Sequence, residues 1–442
     1  MAAPSYVWNG GITLAEIFRT NNNWRRYLSW QEGQVRDSVR HHIRRMLSCR
    51  TPQLGVHLYR CDNCGTLRLI PHSCKSPACA SCGKVRTDAW CMQLLSDILD
   101  VRYRHLVFTI PWQLRLIIRD NRRLLNVLLR SAADAVLSLT AGKPKPMGRK
   151  GRKWIEGRRR RYLFCPGIIA VVHTFGSDLK WNPHIHLVLT AGGLSLDGQR
   201  WVPGPRKYLA PAPALATEWK LRLIAGIRHA DGEQRLYRRR LRSDRRRRIN
   251  LDLLLGHVRK QKWHILVGPS LQTADKAVRY ACRYTKRPVI AEGRIKSFKN
   301  GCVTFQFKDY YMGGERAFSK LPVLKFIDRV VQHLPERNFR QVRHYGLFSP
   351  RKRKEDLKTA RQLLAQRKKR RCKTPEWEQR RKAAGDRRPL SCPRCGSEMV
   401  FDSCAFGCHR TLAKMAGVAP DDQIPPQTFY PPLTNEEWEN AA

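Results

Sequence analysis

The chain has 442 residues, 85 of them Lys or Arg against 35 Asp or Glu, for a formal net charge of +50. A surplus of that size repels itself in a compact state unless a polyanion neutralises it, so nucleic acid is the expected partner and an anionic membrane surface the lesser one. A hydrophobic share of 42% supports a sizeable core; no apolar run predicts a spanning helix, and residues 1 to 20 lack the basic and apolar segments of a secretory signal.

Residues 13 to 50 read as mostly helical, anchored by Trp24, Tyr27, Leu28 and Trp30. A dense cysteine cluster covers 55 to 83, and a helical pattern resumes over 84 to 100. The run Tyr103 to Ile110 reads as a strand ended by Pro111. Apolar residues at helical spacing predict a helix over 112 to 140. The basic stretch 142 to 161, with its Gly and Pro, reads as a solvated loop. Two apolar strands, 167 to 175 and 184 to 190, flank the turn signals Gly176 and Asn182-Pro183 and form a hairpin. Residues 213 to 262 read as helical and very basic, 263 to 268 as a short strand, and 273 to 286 as a helix stopped by Pro288. A strand over 303 to 308 and an amphipathic helix over 321 to 334 follow. Residues 351 to 388 are mostly charge, and the tail after Lys414 has acids and prolines but no Lys or Arg, which predicts disorder.

The chemistry concentrates in the hairpin and the 273 to 286 helix. In Asn182-Pro183-His184-Ile185-His186 the two histidines flank one residue of a strand, so both side chains point the same way. With the turn centred near 178 and 179, His173 lies opposite His184 on the same face. Three imidazoles suit a transition-metal ion, and a phosphoryl-transfer site would use Mg or Mn there to polarise a phosphate. Tyr280 and Tyr284, four apart, share a helix face. Arg279, Arg283, Lys286 and Arg287 beside them would favour the phenolate and hold a phosphate. A metal site, a tyrosine pair and this charge together point to cutting and rejoining nucleic acid through a phosphotyrosine. Taken alone, the tyrosines read as two core aromatics on an amphipathic helix.

The 15 cysteines, several in Cys-x-x-Cys pairs, read as metal ligands in a reducing cytoplasm. Cys61, Cys64, Cys79 and Cys82 have the spacing of a structural zinc site. Cys74 and His72 lie inside the loop between the pairs and Cys49 and His57 just before it, either to replace a ligand or to build a second site. Arg60, Arg68, Lys75 and Lys84 would contact phosphates. Cys392 and Cys395, with Cys404 and Cys408 or His409, form a candidate second zinc site.

His173-Thr174-Phe175-Gly176, the 182 to 186 pentapeptide, Thr190-Ala191-Gly192-Gly193, the Tyr280/Tyr284 segment through Arg287-Pro288, and Val342 to Leu347 occur in the order found in two-tyrosine HUH transposases. The chain resembles the insertion-sequence-91 family over about residues 25 to 350. The resemblance implies rolling-circle-like transposition, with single-stranded DNA nicked at element ends, a 5′-phosphotyrosine link and strand transfer. It implies Tyr280 and Tyr284 as nucleophiles, His184 and His186 as metal ligands, and His173, with Gln272 in reserve, as the third. Two other readings are a plasmid replication initiator or relaxase, and a non-catalytic zinc-containing nucleic-acid-binding protein.

The expected fold is α+β, an HUH core with a central antiparallel sheet over which the tyrosine helix packs. The expected domains are a helical zinc-binding domain over 1 to 100 and a catalytic domain over 101 to 350, the latter with a basic helical insertion at about 213 to 262. A basic linker over 351 to 391, a small zinc knuckle over 392 to 412 and an acidic tail over 413 to 442 complete the chain. The expected partner is single-stranded DNA and not a membrane, and the expected location the bacterial cytoplasm, at the nucleoid.

Overall fold

The computed structural model of the chain describes residues 12–157, 162–205, 210–234, 236–237, 249–284, 288–309, 312–351, 353–368, 378–379, 382 and 388–406. The N-terminal part holds α1 (Leu14–Arg19), α2 (Asn23–Trp30), α3 (Asp37–Leu47), β1 (Val56–Arg60), β2 (Leu67–Pro71) and α4 (Ala80–Asp97). Thr13 opens α1 as a full capping box with Glu16, satisfying two backbone donors reciprocally. Then come β3 (Tyr103–Thr109), α5 (Trp112–Asp120), α6 (Leu124–Ala141), α7 (Arg149–Glu156), β4 (Phe164–Phe175), β5 (Trp181–Ser195) and β6 (Trp201–Pro203). The rest comprises α8 (Ala212–Gln234), α9 (Leu251–Lys260), β7 (His264–Val267), α10 (Ala274–Tyr284), β8 (Ile295–Lys299), β9 (Cys302–Asp309), β10 (Glu315–Pro322), α11 (Val323–Val331), β11 (Val342–Gly346), α12 (Arg353–Leu363) and β12 (Val400–Ala405).

The central sheet is antiparallel in the order β11-β4-β5-β3-β7, with β6 added on β5. Its middle strands are apolar on both faces because both faces are covered. Leu106, Phe108, Ile168, Ala170, Val172, Ile185, Leu187 and Leu189 face a core shared with α5, α6, α8 and α9. The alternate residues Tyr103, Ile169, Val171 and Val188 face α10, α4 and α12. His105, His173, His184 and His186 have the parity of this second set, so period two alone sends all four toward the α10 side.

Two glycines of the sequence motifs are required by contact at the sheet ends. A Cβ on Gly193 would lie 2.1 Å from the Cys165 carbonyl oxygen of the paired strand. Gly346 has φ +58°, and a Cβ there would lie 2.0 Å from the Pro166 carbonyl oxygen.

Several expectations change. The 142 to 161 stretch contains α7, held because the fully buried Glu218 carboxylate accepts from the backbone of Met147 and Gly148 and from Arg222. The 213 to 262 region, expected as a basic helical insertion, contributes to the core: Trp219, Leu223, Ile224 and Ile227 of α8 are buried against the central sheet. Its arginine run 238–248 lies outside the described residues. In the basic linker, α12 buries Leu357 and Ala360 against the α10 side of the sheet. The cysteine region contains strands that its spacing hid. β12 crosses from the far end of the chain to pair with β1, making a three-stranded sheet β12-β1-β2, so the segment around Cys392 does not stand apart as a knuckle. A second small sheet, β10-β9-β8, packs with α11 and α1 to α3. Among the described residues, α6 alone is long and apolar enough to cross a membrane, and it lies mostly buried in the core. The acidic tail 413–442 lies outside the described residues.

Candidate catalytic site and cysteine clusters

The hairpin β4–β5 pairs His173 with His184 directly, as the turn position predicts. His173, His184 and His186 each bring a ring nitrogen within 4.8 Å of the others. The rings sit 4.9 Å apart for His173–His186 and for His184–His186, and 5.4 Å for His173–His184. The Nδ1 of His184 lies 2.7 Å from the carbonyl oxygen of Asn182, so Nδ1–H donates there and Nε2 keeps its lone pair. The Asn-Pro turn thus orients the ring that follows it. On the other side, His186 Nδ1 lies 3.0 Å from Nε2 of His105, a residue on β3 that is 1% exposed. When the His186 Nδ1–H donates to His105, Nε2 of His186 is left for the cluster. Burial pushes His184 and His186 below the ordinary histidine range, and burial lowers His105 to about 4. Neutral imidazoles presenting lone pairs fit a divalent cation.

Helix α10 covers this face because one side of it is small. Ala274, Ala277 and Ala281, with Val278, are buried against the sheet. Thr273 Oγ1 accepts from the Lys276 backbone, and the Ala274 backbone donates to the Asp100 carboxylate, so the N-terminus is anchored twice. Tyr280 is half-buried on this helix, its ring 4.3 Å from that of His105. Tyr284 is the last residue of α10. Arg279 is exposed and bonded to Asp275 at 2.5 Å. The side chains of Tyr284 and Arg283 and the residues Lys286 and Arg287 lie outside the described set. Gln272 is exposed. Sequence reasoning missed His105: an isolated histidine in an apolar strand carries no motif, and only the β3–β5 pairing brings it beside His186.

The cysteines are partitioned differently from the expected grouping of Cys61, Cys64, Cys79 and Cys82. Cys79 and Cys82 join Cys49 and Cys74, whereas Cys61 and Cys64 join Cys392 and Cys395. In the first group Sγ separations are 3.7 Å for Cys49–Cys82, 3.5 Å for Cys74–Cys82 and 3.8 Å for Cys49–Cys79. In the second they are 3.4 Å for Cys61–Cys395 and 3.5 Å for Cys64–Cys392. Tetrahedral zinc with Zn–S bonds of about 2.3 Å requires S···S of about 3.8 Å, so both sets fit the ion. Backbone N–H groups of Cys74, Ser76 and Arg394 point at Sγ of Cys49, Cys74 and Cys392 respectively. Hydrogen bonds from Ser397 pull the Cys395 thiol down to about 5, whereas burial pushes the Cys61 thiol of the same set up to about 11. Cys404 falls in neither set, contrary to expectation; it lies with His72 and His57, which were open to building a site of their own. Cys408 and His409 are outside the described residues. Arg68 donates to the backbone oxygens of Pro389 and Ser391.

A family model described as "Transposase zinc-binding domain" matches residues 19–110, and one described as "Putative transposase" matches residues 167–356. The "Transposase for insertion sequence element IS801" of Pseudomonas savastanoi pv. phaseolicola is 32% identical over 76% of this chain and 76% of its own length. This chain belongs to the insertion-sequence-91 family of transposases. The transposase is also similar to "Putative transposase y4qJ" of Sinorhizobium fredii, at 28% identity over 80% of this chain and 84% of the relative. No solved structure matches it. The first family model spans the Cys49, Cys74, Cys79 and Cys82 set; the second spans all three clustered histidines and both tyrosines.

Proposed function

We propose that this transposase is a two-tyrosine HUH enzyme that nicks single-stranded DNA at the ends of its element and transfers the strand through a 5′-phosphotyrosine intermediate. The observation that carries the reading is the convergence of His173, His184 and His186 on the sheet face covered by the tyrosine-bearing helix, with Tyr280 packed on His105 beside them. His173, His184 and His186 would hold a divalent cation, Mg or Mn, whose chemistry when bound is Lewis-acid polarisation of the scissile phosphate. The all-imidazole donor set favours Mn of the two.

The tyrosine Oη gives up its proton and attacks phosphorus, the Oη–P bond forms, and the P–O3′ bond breaks. The 3′ oxygen takes a proton and leaves as a hydroxyl. The diester is conserved in the intermediate, so rejoining to a new 3′-hydroxyl requires no nucleotide hydrolysis. Tyr280 and Tyr284 in sequence allow two strands to be held in turn, and Arg279, Arg283, Lys286 and Arg287 supply positive charge for the phosphate. His184 and His186 contribute neutral rings, oriented by Asn182 and His105.

Cys49, Cys74, Cys79 and Cys82 would hold one structural zinc, and Cys61, Cys64, Cys392 and Cys395 a second. The zinc region and the C-terminal segment that pairs with it then form one unit for binding element ends, in place of two separate domains.

The test uses single-stranded oligonucleotides carrying an element end, labelled at either terminus, with Mn²⁺ or Mg²⁺. The expected products are an upstream fragment ending in a free 3′-hydroxyl and a downstream fragment joined to the protein through its 5′-phosphate, both lost on chelation. Cleavage that leaves a free 5′-phosphate, or cleavage of duplex alone, contradicts the proposal.

A further inference from the structure

The β12-β1-β2 sheet carries a third ligand cluster that neither four-cysteine set uses. His57 on β1 and Cys404 on β12 are register partners across the antiparallel pair. His72 follows β2, its backbone fixed by bonds to Gly55 and Arg50, and its ring lies 4.5 Å from that of His57 at 75°. The three ligand atoms lie within 4.8 Å of one another.

The local geometry is that of a built site. His72 Nδ1 sits 3.0 Å from the Leu54 carbonyl oxygen, so Nδ1–H donates there and Nε2 carries the lone pair. Among the described residues that buried Nε2 has no hydrogen-bond partner, an arrangement that is costly for a polar atom and is the usual one for a metal-ligating imidazole. Gly55, at φ +87°, leaves room for the cluster: a Cβ there would lie 2.6 Å from the Phe406 ring and 2.9 Å from His72 Nδ1. The exposed rings of Phe406 and Phe401 flank the histidines, with centroids 5.7 Å from His72 and 5.5 Å from His57, and the Cys404 thiol is exposed beside them. Two imidazoles and a thiol are a borderline-soft set that selects zinc over magnesium or calcium. Zinc bond lengths require ligand atoms about 3.3 to 3.8 Å apart, within reach of side-chain adjustment here.

We propose that His57, His72 and Cys404 bind a third zinc ion, which fastens β12 to the N-terminal sheet. It closes a loop of more than three hundred residues a few residues from the junction made by Cys61, Cys64, Cys392 and Cys395. The C-terminal strand is thereby clamped at both ends, and its release becomes a function of zinc. This inference does not depend on the nuclease chemistry proposed above.

The test uses the full chain with His184→Ala and His186→Ala, so that the histidine cluster on the central sheet contributes no metal. After dialysis against a metal-scavenging resin, zinc is counted by mass spectrometry and its ligands are read by zinc-edge X-ray absorption. The expected result is three zinc ions per chain with imidazole scattering. Adding His72→Ala or Cys404→Ser should remove one equivalent, and adding His72→Ala should also reduce the imidazole signal. Two zinc ions with sulfur-only coordination before those substitutions would overturn the proposal. So would an unchanged count after them. The spectrum of the chain carrying intact His57, His72 and Cys404 decides the matter even if the further variants misfold.

Discussion

Replacing His105 by Phe tests how the candidate metal site is held. Phe keeps a ring of similar size against Tyr280 and His186 but removes the Nε2 that lies 3.0 Å from His186 Nδ1. A buried donor left without its acceptor costs about 1–3 kcal/mol. Loss of an outer-shell partner of a metal-ligating histidine lowers metal affinity about 10–100-fold, or about 1.4–2.8 kcal/mol. The two estimates agree because both describe the same bond. The assay is formation of the covalent protein–DNA adduct against Mn²⁺ concentration. His105→Phe should raise the half-saturating Mn²⁺ about 10–100-fold while saturating ion restores most of the yield, and His105→Gln, which retains an acceptor, should fall between. An unchanged Mn²⁺ dependence in His105→Phe refutes the positioning role.

Further predictions concern the scaffold. Gly193→Ala should destabilise the chain by at least about 1–3 kcal/mol, because the new Cβ meets the Cys165 carbonyl. Gly256→Ala in α9 meets nothing within 4 Å and should stabilise by about 0.5–1 kcal/mol; urea unfolding reads both. Cys61→Ser should expose the 388–406 segment to limited proteolysis without altering α10, as seen by fragment mapping. Burial lowers the fully enclosed His333 to about 3, with its ring bonded to Thr174 and the Leu179 carbonyl. The unfolded chain protonates this residue near pH 6.5, whereas the folded chain does so only near pH 3. Its contribution is therefore full above about pH 6.5 and is lost progressively as pH falls toward about 3. His333→Gln should flatten the acid limb of stability by about 1.4 kcal/mol per pH unit between about pH 5.5 and 4, and an identical slope would contradict this.

The parts legible in the sequence were those governed by local period. Alternation in the β4–β5 hairpin placed His173 opposite His184 from the turn position alone. The helical spacing around Tyr280 and the apolar strand 103 to 110 follow the same logic. The cysteine partition was not legible. Cys-x-x-Cys spacing defines which thiols form a pair but carries no information about which pairs meet, and here β12 brings Cys392 and Cys395 to Cys61 and Cys64 across most of the chain. His105 was hidden for the same reason, since its role depends on a strand pairing and on no neighbour in sequence. α7 was hidden by its composition: its basic, glycine-containing sequence is held by the buried carboxylate of Glu218, about seventy residues on.

The most direct test of the central claim is mass-spectrometric mapping of the SDS-resistant adduct formed on single-stranded element-end DNA with Mn²⁺. The account predicts a nucleotide 5′-phosphate on Tyr280 or Tyr284, and no adduct from the Tyr280→Phe, Tyr284→Phe double variant. An adduct on any other residue, or one that survives the double substitution, contradicts it.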